Sequence, residues 1–204
     1  MEIDIIRTNI RDMLENRGDD ISWIQEHGDA VIYDDPNRFY KEVISLNTDN
    51  TTVFFALTKE ILKDHLLVKL KAEKTPQDII TKNDNTKNFI IITIDVPAVK
   101  QSILQFQIID KSLQSIGGML QIFYVDELRY NPMSHRLVPK HEKLTDVQAK
   151  KVMEDYRIKS KSQFPVILKT DPISKWLGLK HGDIVKITHI NNNSGEYNYY
   201  RCAI

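Results

Sequence analysis

Three pairs of neighbouring carboxylates, Asp34-Asp35, Asp126-Glu127 and Glu154-Asp155, are the side chains best suited to hold a divalent cation for phosphodiester chemistry. Neighbours on a strand point to opposite faces, so an adjacent pair makes a poor metal cage there. Nucleases that combine carboxylates with an assisting Lys place Asp or Glu two residues before it, and no lysine of this chain has that neighbour. His135 and His141 stand six apart around Pro139, with no third or fourth ligand at metal-site spacing. They read as surface or hydrogen-bonding histidines. Cys202, the lone cysteine, lies in a β-like run with Tyr199, Tyr200 and Ala203 and reads as a packed small residue, not a nucleophile. With one cysteine there is no internal disulfide and no Cys-rich zinc site. The phosphate loop G-x-x-x-x-G-K-[ST], the fingerprint G-x-G-x-x-G and the elbow G-x-S-x-G are all absent. The expectation is no catalytic residue, no cofactor and no metal.

The charge is informative only when the chain is divided. Over 204 residues, 28 Lys+Arg meet 28 Asp+Glu, and a zero sum argues against a protein that grips nucleic acid alone. The turn-like Asn131-Pro132-Met133-Ser134 marks a boundary. Residues 1–132 carry 15 Lys+Arg against 21 Asp+Glu, a balance of −6, and residues 133–204 carry 13 against 7, a balance of +6. Halves of opposite sign point to two domains with different partners, 1–132 and 133–204. The opening MEIDIIRTNIRDMLENRG lacks the apolar core and cleavage site of a signal peptide, and no run approaches a membrane span. The expectation is an intracellular protein with no membrane partner.

In the first half, Ile3, Ile6, Ile10, Met13 and Leu14 recur at helical spacing and Gly18 supplies a stop. Pro36 reads as a helix start before Phe39, Tyr40, Val43 and Ile44. Thr52 to Leu57 reads as a buried strand, and 59–71 is open between helix and strand. Residues 75–88 read as a polar connection. Phe89 to Ile94 is the strongest strand, apolar on both faces and so central. Leu104, Phe106 and Ile108 alternate with Gln105 and Gln107, which predicts a half-exposed strand, followed by a short helix over 110–116 and a last strand from Leu120 to Val125. Helices interleaved with strands make this an α/β domain.

The second half is better punctuated. Thr145 and Gln148 form a capping box, and Ala149, Val152, Met153 and Tyr156 follow as one apolar stripe. Phe164 to Leu168 is a short edge strand, because Pro165 has no N–H for a ladder. Asp171-Pro172 opens a helix that closes at Gly178. Ile184 to Ile190 and Tyr197 to Ala203 are strands around the turn at 191–195. The sum is a small α+β module with three strands.

These blocks carry a resemblance. His135-Arg136-Leu137-Val138-Pro139-Lys140-His141 with Leu144-Thr145, then Tyr156-Arg157-Ile158-Lys159 and Ser162-Gln163-Phe164-Pro165, resemble the assembly module of the fifth, common subunit of eukaryotic RNA polymerases. The archaeal counterpart of that protein consists of this module alone. Asp171-Pro172, Leu177 to Ile187 and Ser194 to Arg201 continue the likeness in order, with Phe164 where Leu is usual and His181 where Arg or Lys is usual. It covers nearly all of 135–201. The first half is more divergent: Ile10 to Gly18 is similar to the family's first helix, and Ile94 to Lys100 to an I-T-P-x-A-x-K segment. What the resemblance implies is a non-catalytic polymerase subunit with a restriction-endonuclease-like α/β jaw and a C-terminal assembly module. The implied partners are the largest subunit, the small common sixth subunit and downstream duplex DNA, the DNA through its backbone only and with no homo-oligomer. His135, Leu137, Val138, Pro139, His141, Pro165, Asp171, Pro172, Gly178, Gly182, Tyr200 and Arg201 are carried over as partner-binding, and Pro97, Ala98 and Lys100 as DNA-proximal. The divergence of the jaw, together with the 27 Ile and 13 Asn of the whole chain, which suit an AT-rich genome, fits a copy from a large DNA virus, placed in host cytoplasm and virion; the alternative location is the nucleus. The alternative function is an adaptor for transcription regulators outside the polymerase.

Overall fold

A computed structural model describes residues 2–22, 43–72, 75–82, 86–94, 97–191 and 195–204. It divides into two compact units, Met1–Tyr130 and Asn131–Ile204.

The first unit is built on a sheet of β1 (Ile44–Asn47), β2 (Thr51–Phe55), β3 (Asn88–Thr93) and β4 (Met119–Tyr124), in that spatial order. β1 and β2 form an antiparallel hairpin, while β2, β3 and β4 run parallel. Parallel neighbours need crossovers, and helices supply them. Between β2 and β3 lie a π-helical stretch, Ile61–Leu67, running into Val68–Ala72 (together α2), and α3 (Pro76–Lys82); between β3 and β4 lies α4 (Pro97–Gln114). Phe89 to Ile92 are all buried, as a strand covered on both faces requires. Phe89 and Ile91 pack with Phe54, Leu62, Leu66, Phe106 and Leu113 under α2 to α4. The opposite face belongs to α1 (Glu2–Arg17), whose Arg17 donates to Gln121 Oε1 at 2.7 Å; Gln121 pairs with Ile90 in register and so shares its face. Gly18, with φ +84°, follows α1.

Four expectations change here. Val43 and Ile44 do not continue a helix: Ile44 opens β1, where it and Leu46 alternate with Ser45 and Asn47. The rest of that predicted helix, with Pro36, Phe39 and Tyr40, lies outside the described residues. The 75–88 connection contains α3, opened by reciprocal bonds: the Thr75 amide donates to Asp78 Oδ2 at 2.9 Å and the Asp78 amide to Thr75 Oγ1 at 3.2 Å. The ambiguous 59–71 is helical. The Leu104–Ile108 strand is the middle of α4, because Phe106, Ile109 and Leu113 form one buried helical stripe while Leu104 and Ile108 face solvent. After α4 the chain must turn tightly. A Cβ on Gly118 would lie 2.8 Å from the Lys87 carbonyl, so only glycine lets β4 start alongside β3.

The second unit is a sheet in the order β5 (Lys140–Lys143), β7 (Ile184–Asn191), β8 (Gly195–Ala203), β6 (Val166–Ile167). It has four strands, one more than expected, because β5 is Lys-His-Glu-Lys and carries no hydrophobic alternation. β6 is the short edge strand, parallel to β8. α5 (Asp146–Asp155) starts at the Thr145 capping box, with the Gln148 amide donating to Thr145 Oγ1 at 3.3 Å and the Thr145 amide to Gln148 Oε1 at 2.9 Å. α6 (Pro172–Trp176) starts at Asp171, which accepts from the Ile173 amide at 2.8 Å. Each sheet face has its own core. Val185, Ile187 and Ala203 pack with Ile173, Leu177 and Leu179; Ile184 and Cys202 pack with Ala149 and Phe164. Among the described residues, no helix is long and apolar enough to cross a membrane.

Candidate functional site

The residues singled out in the second unit separate by the alternation of β7 and β8. Tyr200 and Arg201 are neighbours on β8, so they point to opposite faces and do not act together. Tyr200 packs on the α5 side, edge-on to Tyr156 at 5.7 Å between centroids. Arg201 shares the α6 side with its register partner Val185, with Ile187 and with Tyr199. Its guanidinium lies 5.6 Å from the Tyr199 ring centre and donates to the Val166 carbonyl at 3.2 Å.

A ladder on that side was missed in the sequence. His189 from β7 stacks on Tyr197 (5.3 Å) and Tyr199 (5.0 Å) from β8, and Arg201 continues the row. The signal was present as Tyr197-x-Tyr199-x-Arg201, a period of two. Only the strand register brings His189 between the two rings, because His189 sits directly opposite Tyr197.

His141, on β5, pairs with Ile187 and is buried. Its ring Nδ1 lies 2.7 Å from the Pro139 carbonyl, so Nδ1 carries the proton and donates. Burial holds the imidazole below its ordinary pKa. The Pro139 bond and the Asp171 carboxylate pull the other way, and His189 and Arg201 add to the lowering. The folded unit therefore binds fewer protons than the unfolded chain, from the ordinary histidine value of about 6.5 down to the depressed one. Stability is full above that window and falls as pH drops through it. Urea titrations of the chain between about pH 7.5 and about pH 5 should show this loss, and His141→Asn, which keeps an N–H for Pro139 but cannot titrate, should flatten it. An equal slope in the variant would exclude His141 as the source.

The remaining carried-over residues divide into internal and outward groups. Asp171 and Pro172 cap and open α6; Gly178 (φ +60°) ends it, and Gly182 (φ +85°) turns the chain into β7 while accepting from Lys161 Nζ at 2.7 Å. Val138 leans on the α6-side core. His135 is exposed, and its carbonyl accepts from the Val138 amide at 2.9 Å while its Nδ1 accepts from the Leu137 amide at 3.2 Å. The turn so closed presents Leu137 with 77% of its surface exposed. Leu137, Val138 and Pro139 form one wall of a groove of about 460 Å³ whose floor includes Lys186, Thr188 and Ile190 of β7. Pro165 is exposed beside β6, near exposed Val166 and Leu168. Pro97, Ala98 and Lys100 fall in the opening turn of α4, and their side chains lie outside the described part of the structure.

Of the carboxylate pairs first weighed for chemistry, Asp126 and Glu127 make local contacts. Asp126 pairs with Arg129 at 3.1 Å, and Glu127 accepts from the Tyr124 amide at 2.9 Å. Burial pushes the Cys202 thiol up, the wrong direction for a nucleophile. Asp34 and Asp35 lie outside the described residues. Among the described residues, no three His, Cys, Asp or Glu side chains gather where a metal could be held.

A family model and two of three relatives match a stretch about the length of the second unit, and a third relative matches far enough to include much of the first. A family model described as RNA polymerase Rpb5, C-terminal domain, matches residues 130–203. DNA-directed RNA polymerase subunit Rpo5 of Sulfurisphaera tokodaii is 44% identical over 78 residues, which are 38% of this chain and 92% of that protein. The Rpo5 subunit of Methanosarcina barkeri is 41% identical over 76 residues, 37% of this chain and 96% of that protein. The rpabc1 subunit of DNA-directed RNA polymerases I, II, and III of Dictyostelium discoideum is 29% identical over 158 residues, 77% of this chain and 73% of that protein.

Proposed function

Because the chain belongs to the family of the fifth, common subunit of DNA-directed RNA polymerases and so is a polymerase subunit, we propose that residues 133–204 dock it on the largest subunit, beside the small common sixth subunit. Residues 1–132 then act as a non-catalytic jaw along downstream DNA. The observation that carries the docking is the length of the archaeal relatives. Proteins of which this module spans 92% and 96% are polymerase subunits, so a chain that is little more than the module suffices for membership there. The exposed Leu137 and the half-buried Val138, Pro139 and Arg201 are the side chains offered to the partner, since the buried centre of an interface is apolar and Arg is enriched there.

For the jaw, parallel β2, β3 and β4 with helices on both faces are compatible with a restriction-endonuclease-like fold, and the absent Asp/Glu-x-Lys spacing supports a non-catalytic one. Its balance of −6 restricts DNA contact to a local approach to backbone phosphates, with Pro97, Ala98 and Lys100 as the candidates. The AT-rich-type composition supports a viral copy acting in host cytoplasm and packaged in the virion.

Affinity purification of the tagged chain from its source tests this reading. The expected result is the largest polymerase subunit among the copurifying chains, with no Mg²⁺-dependent DNA cleavage by the isolated protein. Copurification without the largest subunit, or metal-dependent cleavage, overturns it. Detection of the complex in purified virions, against the nucleus of uninfected cells, decides the source.

A further inference from the structure

Resting on that docking, we propose that the groove between the Arg136–Pro139 turn and the far half of β7 seats an extended segment of the partner subunit, one carboxylate flanked by apolar side chains.

The first argument is coverage. β7 has eight residues and β8 nine, but the cores under α5 and α6 reach only the half that holds Ile184 to Ile187 and Tyr199 to Ala203. The far half projects as a ribbon, and a two-stranded ribbon in water is marginal by itself. This one is stiffened on the α6 side by the His189–Tyr197–Tyr199 stack and on the groove side by Thr188 Oγ1 donating to Asn198 Oδ1 at 2.8 Å. It thereby holds Ile190 in place with 82% of its surface exposed. Across the groove, the turn bonded twice to His135 holds Leu137 in the same way. Two held, exposed aliphatic side chains lining one groove are pre-organised contacts, which lowers the ordering cost of a binding event.

The second argument is charge. Three fixed cations, Arg136, Lys140 and Lys186, line the groove against two carboxylates, Glu142 and Glu196. Glu142 is already engaged by Lys140 at 2.7 Å and by Lys186 at 3.9 Å, which holds its carboxyl below the usual range. The lining is left with one positive charge, so one carboxylate from the occupant brings it to neutrality. A nucleic-acid strand would bring a run of phosphates that Glu142 and Glu196 would repel, so a protein segment fits the groove better.

The test uses the full chain and the polymerase lacking its own copy of this subunit. Leu137→Asp and Ile190→Asp change exposed residues and leave the fold intact; each should weaken association by about 30-fold, as for a central interface anchor. Arg136→Glu should weaken it and should remove most of its salt dependence. Ile108→Asp, at a similarly exposed aliphatic residue on α4 of the first unit, should not. A photo-crosslinker at position 137 should capture a peptide of the largest subunit that contains Asp or Glu. Wild-type association with unaffected groove variants overturns the groove while leaving the docking reading intact. A crosslink to DNA, to a second copy or to a non-polymerase protein also overturns it. Failure of the wild-type chain to associate at all overturns the docking itself.

Discussion

Trp176→Ala should lower the stability of the C-terminal unit by about 3–5 kcal/mol, the range for deleting a large buried aromatic. Trp176 is 1% exposed and closes α6, and the neighbouring Ile173, Leu177 and Leu179 form the core on that side of the sheet. A unit of this size has a total stability of roughly 4–11 kcal/mol, so the loss is a large share of it. Hydrogen exchange should show β7 and β8 amides losing protection, and the chain should leave the polymerase in the same purification that retains the wild type. Undiminished protection of β7 and β8 would mean that the indole does not anchor this core. The change differs in kind from the groove variants, which act on association without touching the fold.

The second large effect lies in α4. Phe106→Ala should cost about 3–5 kcal/mol, whereas Ile108→Ala should stay within about 0.5 kcal/mol. Phe106 is fully buried among Phe54, Leu66, Phe89 and Leu113, and Ile108 is 68% exposed. The pair discriminates between the two periodicities available to the segment. On a strand, positions 104, 106 and 108 share a face and both substitutions would be felt alike. On the helix they separate by some 200° of rotation, roughly two residues at 3.6 per turn. Chemical denaturation of the two variants measures the contrast, and equal losses would contradict the helix.

The misreadings in the first half have physical causes. The run from Leu104 to Ile108 satisfies a period of two over five residues, and five residues cannot exclude a period of 3.6 until Ile109 and Leu113 are included. α3 hides in a polar stretch because its signal is the Thr75–Asp78 cap, not hydrophobic spacing. β5 hides for a related reason: Lys140, Glu142 and Lys143 are set by an edge position and by ion pairs, and its one buried residue is a histidine. Where caps and helix signals coincide, at Thr145, Asp171 and Gly178, the expected elements form where the residues place them.

The family, through ordered motifs over 135–201 that resemble it, and the opposite charges of the two halves, through counting, were legible in the sequence alone. So were the central strand at Phe89–Ile92 and the capped helices of the second unit, which depend on neighbours a few residues apart. The order of the strands, the seating of His189 opposite Tyr197, and the approach of Leu137 and Ile190 to one groove were decided by tertiary structure. Those depend on register between strands far apart in the chain, and a register is chosen by the sum of packing over a whole face, not by any one residue.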